Sequence, residues 1–585
     1  MSDSKPAPDT EASSVPPSPT MATSQQAVNL DDLPNGYYRS KNFIGSLIAV
    51  CLMAISLFLG YTLPVNSLTQ INADLGPDPN YNMITTIFTL ISGVAILLVG
   101  RLGDIFGRRY FLIGGQFLGL IGSIVCATAK NVPTVIGGSA LCGLAAAVQL
   151  TFTFVIAELV PNRARPLVNA GLFITTFPFA GFGALIAQLF IANTENSWRW
   201  NYYLNIITCG ISLILFVFCY FPPGWETKHK GQNRLEGLKK FDYVGFVLYA
   251  GGLILVLLGL SWGGTSHAWN SAHVVAVLVV GFAALIAFVL YEIFAPLEQP
   301  LIPMSLLKHR GYSATVCSAL VGNMVYFSLS LLWPQEIASL FTSDKIEAGW
   351  LAISVGLGVI VGEIVGGILM KPLGHSKYQL ITSTIFITAF SGAMAAVNQD
   401  RQAYGIAFTA IGGFAVGYLE LVTLIMCPLY CKPEDIGLAS GFLGSAKQVA
   451  GTIATAIYVA ILNNRLTDNL PKEVSAAALK AGLPKSSLTK LLKAVSSESK
   501  SAMKSVPGIT DKILAAVTTA TKTAYADSFR IVFLASIAFG SCAIIAALIS
   551  VPVDEQLDDV VAAKLAGSGA SEETLPTHDK NETTQ

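Results

Sequence analysis

The chain has 585 residues, 53% of them hydrophobic and only 12% charged, with a mean hydropathy of +0.59. A soluble domain carries about twice that charged fraction, so a soluble globular protein is excluded. The net charge of zero removes the electrostatic footprint of a nucleic-acid binder.

Residues 1–42 are rich in Pro, Ser and Thr and lack an apolar h-region, so they read as a disordered cytoplasmic tail and not as a signal peptide. Apolar runs of about 20 residues follow, each able to cross a ~30 Å hydrocarbon core as a helix. They predict an all-α membrane protein of fourteen spans, at about 43–63, 82–100, 110–128, 134–157, 167–192, 201–221, 243–261, 273–294, 311–333, 349–370, 378–397, 403–427, 436–462 and 528–551. An even number of spans places both termini on one side. With that side inside, the inner segments hold twenty lysines and arginines, whereas the short outer loops hold Lys130, Arg199, Lys345 and Arg401. The excess orients the chain with both tails in the cytoplasm.

The long segment 463–527 then lies outside. Val474–Ala481, Ser487–Val495 and Ile509–Tyr525 have helical apolar spacing interrupted by Pro484 and Pro507, which predicts two or three short amphipathic helices capping the outer mouth. The C-terminal tail, 552–585, is polar and acidic, and its sequon at Asn581 would stay unmodified in the cytoplasm. The nine cysteines fall in or beside spans, so no structural disulfide is expected. Cys427 and Cys431, four apart at a span's end, are not read as a metal site, and no cofactor is expected.

Between spans 2 and 3 stands Gly100-Arg101-Leu102-Gly103-Asp104-Ile105-Phe106-Gly107-Arg108-Arg109. This G-x-x-x-D-x-x-G-R-R turn resembles the loop 2–3 signature of the major facilitator superfamily. Trp198-Arg199-Trp200-Asn201-Tyr202-Tyr203-Leu204-Asn205 before span 6, Phe241-Asp242-Tyr243-Val244-Gly245 opening span 7, Ser261-Trp262-Gly263-Gly264 with Trp269, and Pro300-Leu301-Ile302-Pro303 resemble elements of its fourteen-span drug:proton antiporters. Leu332-Trp333-Pro334-Gln335-Glu336, Glu434-Asp435-Ile436-Gly437-Leu438-Ala439-Ser440-Gly441 and Ala524-Tyr525-Ala526-Asp527-Ser528-Phe529-Arg530 look like the fungal trichothecene efflux pump family. The resemblance runs from about residue 40 to 551.

It implies a major facilitator fold in a 6 + 2 + 6 arrangement. One six-helix half covers 43–221, a linker (with the basic stretch Lys228–Lys240) and two-helix insertion 222–310, and a second half 311–551 that includes the outer segment. Alternating access would come from rocking of the halves about a midplane cavity. Asp104 and Arg108, with Gly100, Gly107 and Arg109, resemble the family's conformational latch, in which an acid sits near a helix N-terminus and basic residues reach across the interface between the halves. Glu158-x-x-Pro161-x-x-x-Arg165 after span 4 reads as a similar gate element, or as a generic polar turn.

The first half departs from the antiporter pattern. The family's span-1 Asp, nine residues before a Pro, corresponds to Ile55 before Pro64. Its span-4 Arg corresponds to Ser139, with Cys142 in place of a Gln. Its span-5 motif persists as Pro178, Gly181 and Gly183, with Phe177 in place of a Gly. Those three span-5 residues are expected to give a bend and a close packing surface. The membrane-embedded charges of the relatives are missing from this half.

If protons drive transport, their acceptor lies elsewhere. A carboxylate near mid-span costs about 2.5–3.5 kcal/mol on insertion scales, and Glu363 in span 10 and Glu420 in span 12 both qualify. Lys447 in span 13 is the basic residue deep in a span. Protonation of Glu420 or Glu363 would bias the inward–outward balance. The structural alternative is a fixed pair with Lys447, and for Glu363 a position in the small-residue packing stripe of Gly358, Gly362 and Gly366. Gln149, Phe152, Asn323, Tyr326 and Phe327 are the candidates for a substrate cavity suited to bulky, mostly apolar ligands with scattered oxygens.

No G-x-x-x-x-G-K-S/T occurs, so an ATP-driven pump is excluded, and no nucleophile–base pair suggests an enzyme. Three readings follow: proton-coupled efflux of a toxic or secondary-metabolite small molecule from the plasma membrane or a vacuole, siderophore–iron uptake, and a non-transporting sensor on the same fold. The short C-terminal tail disfavours the last.

Overall fold

Several spans begin where a side chain replaces the missing backbone acceptor of a first helical turn. Ser40 accepts from the Phe43 N–H, Asn131 from Thr134, Asp242 from Gly245, Ser271 from Val274 and Thr510 from Ile513. Between such starts the apolar runs close their own hydrogen bonds as helices, the only open-chain solution inside lipid.

The computed structural model describes residues 28–29, 37–222 and 241–561, save 77, 79, 80, 82, 264–266, 298, 343, 433, 434, 497–502, 504 and 559. Most of the 1–42 tail, Lys228–Lys240, Gly264, Glu434 and Asn581 lie outside the described residues. Among those described, thirteen helices are long and apolar enough to cross a membrane, and the bent pair Asn162–Gly181 and Gly183–Asn193 makes a fourteenth span. The chain is an all-α membrane protein.

Spans 4, 13 and 14 differ from their expected form. Span 4 is two helices, Val132–Gln149 and Phe152–Leu159, with Thr151 Oγ1 donating to the Val148 carbonyl at the break. Span 5 bends by 44° at Phe182. Pro178 lies within its first piece, and at Gly183 a Cβ would come within 2.7 Å of Thr62, whereas at Gly181 it would meet Leu357 at an ordinary 3.6 Å. The second difference is at spans 13 and 14. Their helices run unbroken as Ile436–Lys480 and Asp511–Ile549, so the separate short helices expected at 474–481 and 509–525 are continuations of the spans. Hydropathy falls over Asn463–Asn469, but helix continuity depends on backbone bonds, which a polar stretch does not interrupt. Among the described residues of the segment, Leu488–Ser496 stands as a separate α-helix. It packs with the two extensions around Leu470, Val474, Ala478, Leu491 and Val517, so the segment is a folded cap with its own core.

The Trp198–Asn205 motif ties spans together at the opposite end from the 100–109 loop. Trp198 Nε1 donates to Asp74 on the unexpected helix Leu68–Leu75 at 2.9 Å, and Arg199 donates to the Ala127 and Ala129 carbonyls. Asn201 and Asn205 donate to Ser67 and Ser123.

Spans 10 (Lys345–Leu373) and 12 (Gln402–Leu429) meet backbone to backbone through the predicted glycine stripe. A Cβ on Gly362 would lie 2.0 Å from the Phe414 carbonyl oxygen, and one on Gly417 1.9 Å from that of Val359. Gly417→Val is therefore expected to destabilise the protein by about 1–3 kcal/mol through overpacking, seen as a lowered thermal midpoint of the purified protein. Gly171→Val, with nothing within 4 Å of the added Cβ, should leave that midpoint unchanged.

Candidate functional site

Two polar assemblies are built from residues far apart in sequence. The first lies where the span 2 helix, Met83–Phe106, meets the start of span 13. Gly100 lets these helices touch: a Cβ there would sit 2.3 Å from the Gly437 carbonyl oxygen. The contact places the buried Asp104 carboxylate over the first turn of span 13, where it accepts from the N–H groups of Gly437 at 3.1 Å and Leu438 at 2.7 Å. A carboxylate at a helix N-terminus is favoured both by orphan N–H donors and by the helix dipole. Arg101 reaches Asp435 of the same turn at 3.5 Å.

Arg108 does not reach across. It pairs with Asp104 at 2.9 Å and with Glu158 at 3.0 Å, its guanidinium lying 5.4 Å from the centre of the Phe154 ring. Burial alone would pull this guanidinium down, but Glu158 and Asp104 outweigh it and hold Arg108 above its ordinary value. Gly107 adopts φ 88°, which a residue without a Cβ takes at little cost. Arg109 folds back instead, donating to the Val217 carbonyl at 2.9 Å and stacking 3.9 Å from the Phe221 ring centre. Glu158 thus belongs to the Asp104 assembly, while the buried Arg165 backbone carbonyl accepts from Asn169.

The second assembly joins spans 9, 10, 12 and 13. Lys447 Nζ donates to Glu420 Oε1. Asn323 Nδ2 donates to the Lys447 carbonyl at 2.6 Å, and Asn323, Glu420, Thr423 and Lys447 line a small cavity together with the apolar Ala319, Val416 and Leu419. The Glu363 carboxyl is buried, and its Oε2 has no hydrogen-bond partner; it lies within Coulombic range of both Glu420 and Lys447. Tyr326 is within range of both acids and packs edge-on to Phe327, whose ring fills the space over Gly451. Glu363, Glu420, Lys447, Asn323 and Tyr326 are therefore neighbours.

Gln149 has no hydrogen bond to this group among the described residues, and Phe152 belongs to the hydrophobic cluster against which Tyr326 packs. Gln149 is buried against span 3 and span 6, donating to Gln116 Oε1 at 3.4 Å and Cys209 Sγ at 3.6 Å, and Phe152 packs edge-on to Phe173. A glutamine in a membrane span can be satisfied by the neighbouring helix as well as by a cavity, and here it is. Two in-span acids escaped the sequence reading. Glu292 accepts from the N–H groups of Leu301 and Ile302, which fixes a loop. Glu336, wholly buried before the π-helical turn Ile337–Phe341, has neither carboxyl oxygen hydrogen-bonded. Its presence in an apolar run was the available signal.

Residues 9–582 match the family model described as the fungal trichothecene efflux pump. The "Trichothecene efflux pump TRI12" of Fusarium sporotrichioides is 32% identical over 559 residues, 94% of this chain and 92% of that protein. Its namesake in Trichoderma arundinaceum is 30% identical, covering 91% and 90%. The "MFS-type transporter prx5" of Penicillium rubens is 30% identical, covering 94% and 98%. In structure, the chain resembles the human organic anion transporter MFSD10, with a TM-score of 0.51 at 10% identity over 86% of this chain and all of the other, a likeness of fold.

Proposed function

The chain belongs to the fungal trichothecene efflux pump family, and we propose that it exports bulky, mostly apolar toxins or secondary metabolites across the plasma membrane in exchange for protons. Spans 1–6 and 9–14 act as two rocking halves, spans 7 and 8 are an insertion, both termini are cytoplasmic, and the 463–527 cap faces outward. The excess of lysine and arginine on the 100–109 side supports this orientation.

The observation that carries the coupling mechanism is the grouping of two acids with one base. Two carboxylates and one ammonium leave an excess negative charge, costly in a low-dielectric interior, and one proton shared by the acids makes the cluster neutral. Glu420, with a third of its side chain exposed, takes the proton from the cavity. Lys447 then re-pairs with Glu363. The exchange changes how spans 10, 12 and 13 pack, and so links protonation to the rocking of the halves. At the cytoplasmic face Asp104, set on the span 13 N-terminus, is the latch that holds the inner gate shut. Asn323, Tyr326 and Phe327 border the substrate path. No ATP or cofactor enters this cycle.

Deletion of the gene in its fungal host tests the direction of transport. The expected result is hypersensitivity to trichothecene-type toxins, restored by the intact gene. Unchanged toxin tolerance together with failure to grow on a ferric siderophore as sole iron source would replace export by iron uptake.

A further inference from the structure

The chain does not leave the protein after span 14. Beyond Ile549 it crosses the face that carries the Asp104 assembly, and it is fixed there at named points. Tyr430 Oη donates to the Val551 carbonyl, and the Val553 N–H donates to Ser376 Oγ at 3.0 Å. The Asp554 carboxylate accepts the Ser376 N–H at 3.0 and 3.2 Å and the Ser376 hydroxyl at 3.3 Å, which caps the first turn of the span 11 helix, Ser376–Ala393. Val553 is wholly buried between these contacts. All of these partners belong to spans 11 to 14.

Four residues later the chain holds the other side. Asp558 Oδ1 accepts from Asn162 Nδ2 at 2.6 Å, and its carbonyl accepts the Arg163 N–H at 2.9 Å, both in the link between spans 4 and 5. Val560–Val561 then pairs antiparallel with Val28–Asn29, ahead of span 1. The stretch from Asp554 to Asp558 can extend to at most about 14 Å, so the two anchor sets cannot separate far while both hold.

We propose that residues 551–561 form a clasp across the inner gate, which stabilises the inward-closed state and releases one anchor set each time the gate opens. The clasp works beside the Asp104 latch but is chemically separate from it, resting on Asp554, Asp558, Ser376 and Asn162. It makes the C-terminal tail a control element for the inward–outward balance, and it rests on the alternating-access reading given above.

A native thiol reports on this gate. Cys431 is free, packs with Ala157 and Ile436 across the same interface, and lies within Coulombic range of Arg165. Its side chain is partly buried there and burial holds its thiol well above the ordinary range, which together give it a low labelling rate while the gate is shut. The test is labelling of the full-length protein in inside-out vesicles with a membrane-impermeant maleimide, quantified at Cys431 by peptide mass spectrometry. Asp554→Ala/Asp558→Ala is expected to raise the Cys431 rate about tenfold, the change that loss of ~1.4 kcal/mol of closed-state preference produces. Asn162→Ala, which removes only one anchor, should raise it less. Unchanged rates in both clasp variants, with Asp104→Asn still accelerating labelling, overturn the clasp alone. Unchanged rates in all three overturn the clasp together with the alternating-access reading.

Discussion

Gly100→Leu is expected to reduce export at least tenfold while leaving the protein folded in the membrane. The Cβ position is fixed by the backbone, so no rotamer relieves its approach to 2.3 Å from the Gly437 carbonyl oxygen and 3.0 Å from the Gly437 carbon. Spans 2 and 13 have to part, and Asp104 then lifts from the N–H groups of Gly437 and Leu438. A hydrogen bond to a charged group is worth about 1.5–3 kcal/mol, and the helix-terminus field adds up to about 2 kcal/mol in buried geometry. Asp104→Asn keeps the shape but removes the charge. A shift of about 3 kcal/mol against the closed gate, or a factor of roughly 150 in its population, is the expected consequence. Transport rates in reconstituted vesicles read both variants. Gly103→Ala is the control, because its added methyl meets only the Arg108 side chain, at 3.4 Å. Retention of wild-type rates by Gly100→Leu would remove the latch from the mechanism.

Glu420→Gln is expected to abolish the response of transport to an imposed pH gradient. The substitution breaks the Glu420–Lys447 pair, and breaking a buried pair costs about 3–5 kcal/mol; the cost here falls below that range because Glu363 is left to take Lys447 and a third of the Glu420 side chain is exposed. Loss of transport by this variant alone would therefore mix coupling with folding. The triple variant Glu363→Gln/Glu420→Gln/Lys447→Gln separates them. It is neutral and holds no broken ion pair, so it should keep a thermal midpoint near that of the wild type but show no gradient response. Glu363→Gln should also lose the response, since Lys447 would have no second carboxylate to join. A gradient response that survives in Glu420→Gln would move coupling out of this cluster, with the unpartnered carboxyl of Glu336 the next acid to test.

The spans were legible because a run of about 20 apolar residues has few other structural outcomes. Their outer ends were not: Asn463–Asn469 reads as the end of a span, yet the helix passes through it to Lys480. Facing was the harder problem. A helix that is apolar all round gives little sign of which side meets the cavity, so Gln149 looked like a binding residue and proved to be bonded to Gln116 and Cys209. Asp104 stood out by its flanking glycines, but its partners lie 333 and 334 residues away, and only the close-packing Gly437 and Gly441 hinted at them. Glu363, Glu420 and Lys447 were each conspicuous as charges in apolar helices, since lipid makes every such residue costly. Their convergence depends on how spans 10, 12 and 13 pack, which one sequence does not encode in any local pattern. The clasp was invisible for a different reason: a polar, acidic tail has the composition of a solvated one, and its order comes from Ser376 and Asn162, which lie far from it in sequence.

The central claim, outward transport driven by protons, is tested most directly with inside-out plasma-membrane vesicles holding the intact protein and a labelled trichothecene outside. Acidifying the vesicle lumen should drive accumulation of the toxin, and a protonophore should abolish it. Accumulation that ignores the gradient, or that appears only in right-side-out vesicles, would contradict proton-coupled export.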